Sequence, residues 1–343
     1  MRRLLLVLAS MCAVSLTTVT AVARADDGGG SGPRDGAVWV ANRDKGEVTI
    51  FDAASGTPAR TFLTGAGAHE VAIAEQARQA YLTNETENTV SVLSTRTLLG
   101  HKLALGPRPH HAEASKDGRR VLVGLYDANR IAVINTRTGI VREYTTSTNP
   151  AAKAHSGVLS REGKTIYVAH EVGDEVTGVD VATGAITLSV HGINQPSEVL
   201  LDRNGRHLYV TARGEGKVKV IDVASATVAA EVVVGTQPET MLLTRDQGTL
   251  VVTLRGTPAS LAFMNITTLA VDTLGIAGPG TFGDLAAMSK DGRFAYATFD
   301  RGPTAVGGVA VVDLQRRALV DTWAYPGTGR PHGIAWTHVV PAD

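Results

Sequence analysis

Four of the ten histidines in this 343-residue chain stand at equivalent places in a repeat, and imidazoles placed so regularly are the first chemistry it offers. His69, His110 and His155 each precede a strand-like phrase by twelve residues, and Ser197, Glu239 and Asp284 hold the same place before the next three phrases. His332, in a Pro-His-Gly-Ile context, repeats the local pattern near the C-terminus. Neutral imidazoles are common ligands for zinc, copper and nickel. His69, His110, His155 and His332 are therefore candidate metal ligands, with zinc or copper as the candidate ion. Glu239 and Asp284 are candidate catalytic carboxylates, placed across the opening to act as general base on a metal-activated water. A plainer reading stands beside this one: histidines at strand starts can simply bond backbone carbonyls around a water-filled channel.

A second set of positions falls in the loop after each phrase: Arg43, Glu85, Tyr126, Glu171, Arg213, Arg255 and Asp300. Arginines grip carboxylates and phosphates through paired hydrogen bonds. Glu70, His111 and Glu198 directly follow ring positions and enrich the same region. The candidate ligand-binding residues are Arg43, Glu70, Tyr126, Glu198, Arg213 and Arg255. Charged loop tips are also what any wet surface carries.

The elements that must position these residues recur at intervals of 41 to 45 residues. The phrases begin at Trp39, Tyr81, Leu122, Tyr167, Tyr209, Val251 and Tyr296. One unit reads as four short strands: His69–Ala74, Ala80–Asn84, Thr89–Leu93, and a last strand around Leu99–Leu105. A fixed period of this length with four strands per unit predicts a β-propeller. Turn chemistry repeats too. Asp117-Gly118, Glu162-Gly163, Asn204-Gly205 and Asp291-Gly292 separate first from second strands, as tight hairpins require. Runs such as Asp52-Ala-Ala-Ser-Gly56 and Asp180-Val-Ala-Thr-Gly184 separate third from fourth.

The first phrase, Val38–Asn42, lacks an innermost strand before it, whereas Pro331–Thr337 is an innermost strand without a phrase after it. The expected fold is therefore all-β: a seven-bladed propeller of four-stranded antiparallel blades, closed by the C-terminal strand joining the N-terminal blade. Closure removes exposed sheet edges. The propeller is expected over residues 37–338, with a tail at 339–343.

Residues 1–25 read as a signal peptide: Arg2 and Arg3, an apolar run from Leu4 to Leu16, and Ala23-Arg24-Ala25 as cleavage site. The apolar run is shorter than the roughly 20 residues that span a bilayer, so no membrane span is expected after cleavage. Residues 26–36 read as a flexible linker. The protein is expected to be secreted or held in the cell envelope, as a monomer. Its one cysteine, Cys12, lies in the signal, which excludes disulfides and thiol chemistry from the mature chain. Removing Arg2, Arg3 and Arg24 leaves the chain slightly acidic, and aromatic residues make up 5%. Neither property suits nucleic acid. No His-Glu-x-x-His, Gly-x-Ser-x-Gly or phosphate-binding loop occurs.

At Tyr81-Leu-Thr-Asn84, Tyr167-Val-Ala-His170, Tyr209-Val-Thr-Ala212 and the His-Gly-Ile before Trp336, the chain resembles the YVTN-repeat (YncE-like) propeller family. The resemblance implies a seven-bladed, commonly exported propeller and little about chemistry. The architecture also resembles the lactonase and streptogramin-lyase propellers and that of nitrous-oxide reductase, which carries copper on a ring of histidines. The reading favoured at this level is a binding scaffold that presents its channel mouth to a small molecule or an envelope protein. The alternative is a metal-dependent hydrolase or lyase of lactonase type, and a third is metal handling without turnover.

Overall fold

The computed structural model describes residues 34–256, 258–276, 282–301 and 305–341, without the side chains of 282–286. Seven four-stranded antiparallel sheets are formed, six of them following the chain from inside outward and the seventh taking the last strand of the chain as its innermost. The innermost strands are Ala68–Ala74, Pro109–Ala114, Ala154–Leu159, Pro196–Leu201, Pro238–Leu243, Phe282–Met288 and Pro331–Thr337. Each packs on the next around a central channel, and the last packs on the first. Helix among the described residues is confined to three single 3-10 turns, at Glu75–Ala77, Tyr126–Ala128 and Arg213–Glu215. None of these helices is long and apolar enough to cross a membrane.

The ring closes as the strand arithmetic requires. Pro331–Thr337 pairs antiparallel with Ala37–Asn42, setting Val38 opposite Trp336 and Val40 opposite Ile334. The expected signal peptide and residues 26–33 of the linker lie outside the described residues. The last three linker residues are tied down: Arg34 reaches Asp321 at 3.0 Å, the Trp336 indole donates to the Asp35 carbonyl, and Ala53 N donates to the Gly36 carbonyl at 3.0 Å.

The core lies between blades. The aromatic residues that open the phrases, Trp39, Tyr81 and Tyr296, are buried against neighbouring sheets. Each such side chain contributes roughly 1.5–3 kcal/mol. The turns follow their chemistry. Gly118, Gly163, Gly205 and Gly292 have φ between +63° and +76°, a region glycine enters at no steric cost. Asp52 and Asp180 accept from the backbone three residues on, at 2.8 Å in both cases.

The threonine of the phrase has a job that the period alone does not reveal. In every blade the ladder between first and second strands shifts register at the ring position. In six of the seven, two residues of the inner strand oppose one of its partner, which is a β-bulge. Such a bulge leaves backbone groups off the ladder, and threonine satisfies them. The Thr83 hydroxyl accepts from Glu70 N at 2.9 Å and donates to the His110 carbonyl of the next blade at 2.8 Å. Thr211 repeats the pattern with Glu198 N and the Glu239 carbonyl. At the equivalent Gly124 a Cβ would meet His155 O at 2.5 Å, so only glycine fits where those blades approach most closely.

Candidate functional site

The bulges decide where the ring residues point. Neighbouring side chains in a regular strand face opposite ways. His110 and His111 instead lie with ring centroids 5.1 Å apart and planes 22° from parallel. His332, His69, His110 and His155 form a continuous arc, with successive centroids at 3.9, 4.0 and 4.5 Å. All four are buried. Burial, then the like charges around them, holds the His69 and His110 imidazoles well below the usual histidine range. His155 is lowered by burial and then by Arg213. A neutral imidazole has one lone-pair nitrogen. For His155 the tautomer is set: Nδ1 lies 2.8 Å from the Ser197 carbonyl and must donate to it, which leaves Nε2 as the acceptor.

Three carboxylates complete the mouth. Glu85 takes Arg43 Nη2 at 2.7 Å and lies 3.2 Å from His110 Nε2 and 3.5 Å from Arg108 Nε. Glu171 takes Arg213 Nη1 at 2.7 Å and the Tyr126 hydroxyl at 2.8 Å. Glu239 takes Arg213 Nη2 at 2.6 Å and the Ser197 hydroxyl at 2.8 Å, both on Oε1. Its Oε2 is buried without a hydrogen bond and faces Arg255 Nη1 at 3.5 Å. His155 Nε2 looks onto both of the last two carboxylates, at 3.7 Å from Glu171 and 3.8 Å from Glu239. Tyr126 stacks on His110 and lies 4.6 Å under the Arg108 guanidinium. Arg43, Arg108 and Arg255 remain about one-third exposed, while Arg213 is largely covered.

The predicted residues thus separate into two tiers. His69, His110, His155, His332, Glu239, Arg43, Tyr126, Arg213 and Arg255 belong to the mouth. Glu239 does not stand across the opening from the histidines, as the ring order suggested; it reaches back to Ser197 and toward His155. The side chain of Asp284 lies outside the described residues. Glu70 and Glu198 face a different space, a channel cavity of about 290 Å³ that they line with His111 and Glu113. Here His111 Nδ1 lies 3.4 Å from Glu70 and 3.7 Å from Glu198. Burial, then the charges of Glu113, Glu70 and Glu239, pushes the Glu198 carboxyl well up.

Sequence reasoning named Glu85 and Glu171 as loop residues without giving them a site role, and it passed over Arg108 and Glu113. The signal for the two glutamates was present: each directly follows the last residue of a phrase, Asn84 or His170. His170 itself leaves the mouth. It is fully buried, with Nε2 3.0 Å from the Thr177 hydroxyl, in the structural place asparagine takes in other copies.

The fold and site define a seven-bladed propeller with buried histidines, arginine-held carboxylates and a partly exposed arginine rim at one channel mouth. Residues 104–268 match the family described as "Lactonase, 7-bladed beta-propeller". The structure is similar to the periplasmic gluconolactonase PpgL of Pseudomonas aeruginosa, with a TM-score of 0.66 at 18% identity, over 88% of this chain and 98% of that one. It is similar to a putative 6-phosphogluconolactonase of Bacteroides uniformis, with a TM-score of 0.69 at 14% identity, over 89% and 100%. It is similar as well to the dihydro-heme d1 dehydrogenase NirN, with a TM-score of 0.61 at 17% identity, over 89% and 77%. Likeness at these identities establishes the fold alone. Comparison with curated proteins finds no match.

Proposed function

We infer that this protein is a lactonase-like hydrolase that opens the ring of an anionic lactone at the channel mouth. One observation carries the reading. Glu239 is fixed on one oxygen by Arg213 and Ser197, while its other oxygen is buried, without a hydrogen bond, beside Arg255. Glu239, Arg213, Arg255, Glu171 and His155 all fall within residues 104–268, the segment that matches the lactonase family. Structural relatives named as a gluconolactonase and as putative 6-phosphogluconolactonases favour the same direction.

The chemistry follows from the placement. A water at Glu239 Oε2 gives up a proton to the carboxylate as its oxygen attacks the lactone carbonyl. Arg255 stabilises the oxyanion that develops. The ring C–O bond then breaks, and the proton returns from Glu239 to the departing alkoxide. Arg43 and Arg108, each about one-third exposed on the rim, attract a carboxylate or phosphate on the substrate. With the export signal read in the sequence, the substrate would be met in the envelope or outside the cell.

The test is hydrolysis of gluconolactone and 6-phosphogluconolactone above the spontaneous rate. Glu239→Gln is expected to lower kcat about 10²–10⁴-fold. A purified protein that leaves both lactones at the spontaneous rate would return the scaffold reading to first place. That second reading draws on one specific observation: Glu85, Glu171 and Glu239 already have arginine partners and so need no ligand to be stable where they are.

A further inference from the structure

We propose that His110, His111 and His155 form a binding site for one transition-metal dication of the zinc or copper type. The site differs from the four-histidine arc read in the sequence, because it takes in His111 and omits His69 and His332. It goes beyond the hydrolase reading and does not rest on it.

Geometry comes first. One ring nitrogen from each of the three residues lies within 4.8 Å of those of the other two, and all three residues are buried. Nitrogens on a tetrahedral zinc stand roughly 3.4 Å apart, given bonds of about 2.0–2.1 Å. Side-chain rotations of about an ångström therefore suffice.

The surroundings of the rings fit metal ligands. A ligating histidine almost always gives its second ring nitrogen to a carboxylate or a carbonyl, which fixes the tautomer and aims the lone pair. Each of the three has such an oxygen beside one nitrogen. For His155 it is the Ser197 carbonyl, 2.8 Å from Nδ1. For His111 it is Glu70, 3.4 Å from Nδ1. For His110 it is Glu85, 3.2 Å from Nε2. The nitrogen left to His110 is Nδ1, which is buried without a hydrogen-bond partner.

A rival set, His69, Glu85 and His110, is equally close-packed. Electrostatics decides between them. Glu85 is taken by Arg43 at 2.7 Å and approached by Arg108 at 3.5 Å, so a dication there would meet two guanidinium groups. His111 instead lies between the carboxyl groups of Glu70 and Glu198, at 3.4 and 3.7 Å. Oxygen atoms beside a ligand favour a dication, whereas guanidinium groups oppose it. The cavity of about 290 Å³ lined by His111 gives the ion a way in and room for a water as fourth ligand.

The experiment uses full-length, tag-free protein stripped with chelator, dialysed against Zn²⁺ and separately against Cu²⁺, with bound metal measured by mass spectrometry. About one ion per chain is expected. His111→Ala should weaken binding at least ~100-fold, and Glu70→Gln about 10–100-fold. His332→Ala should keep full occupancy. Less than a tenth of an ion per chain in the wild type, or undiminished binding in a folded His111→Ala variant, overturns the proposal. Should His111→Ala fail to fold, Co²⁺ titration of the wild type decides. Intense visible bands of a four-coordinate site support the proposal, and the weak spectrum of hydrated Co²⁺ overturns it. Glu239→Gln separates the two readings, since it should lose lactone turnover yet keep its metal.

Discussion

His332 and His69 lie with ring centroids 3.9 Å apart and planes tilted by 43°, although one lies near the C-terminus and the other in the first complete blade. The contact exists because Pro331–Thr337 is the innermost strand of the blade that Ala37–Asn42 begins. Gly333 makes the approach possible: a Cβ there would meet the His69 carbonyl at 2.3 Å and Glu70 Cα at 2.5 Å. Both obstacles are backbone and cannot swing aside. Gly333→Ala is therefore expected to destabilise the protein by about 1–3 kcal/mol or more. Urea unfolding checks it, and an unchanged midpoint would mean that the ends do not close in this register.

The bulge threonines are expected to be worth more than their size. Thr211→Val keeps the shape but leaves Glu198 N without its acceptor and the Glu239 carbonyl without its donor. The expected loss is about 1–3 kcal/mol, the cost of a buried group left unsatisfied. Thr227→Val, on the outer strand Thr227–Val233 and exposed, is the control and should change stability by less than about 0.5 kcal/mol.

Burial lowers His170 to about 4. Above the unfolded value of about 6.5 neither state binds the proton, and the residue costs nothing. As the pH falls from 6.5 toward 4 the unfolded chain takes up a proton that the folded chain refuses. Stability then drops by up to about 1.4 kcal/mol per pH unit in that window. His170→Asn, which restores the residue found at Asn42 and Asn84, should flatten the acid limb. Chemical denaturation at pH 7.5, 6 and 4.5 would show it, and parallel curves for the two proteins would refute it.

If the rim arginines recognise an anionic group, their removal should separate substrates by charge. Arg43→Ala combined with Arg108→Ala should raise KM for 6-phosphogluconolactone about 10–100-fold, since a hydrogen bond to a charged group contributes about 1.5–3 kcal/mol. KM for uncharged gluconolactone should stay within about threefold. Equal changes for both substrates would place the anion elsewhere.

Much of the fold was legible because a propeller is written in periods. The phrases, the Asp-Gly turns and the mismatch between Val38–Asn42 and Pro331–Thr337 led to seven blades and ring closure. The site was legible as positions but not as directions. A twelve-residue spacing located His69, His110 and His155, yet nothing local says that a bulge follows each, because the bulge arises in pairing with another strand. Without it, His110 and His111 would be assigned opposite faces. Glu85 and Glu171 were visible as loop residues, but only the structure brings them to the histidines.

The chain's own order of residues determined the number of blades, the place of closure and the supply of imidazoles, carboxylates and arginines, because each depends on repeated local pattern. Tertiary structure alone decided that Glu239 shares Arg213 with Glu171, that Glu70 and Glu198 face a separate cavity, and that His111 joins His110 and His155. Those relations join residues of different blades, and their distances are fixed by how tightly seven sheets close around one axis.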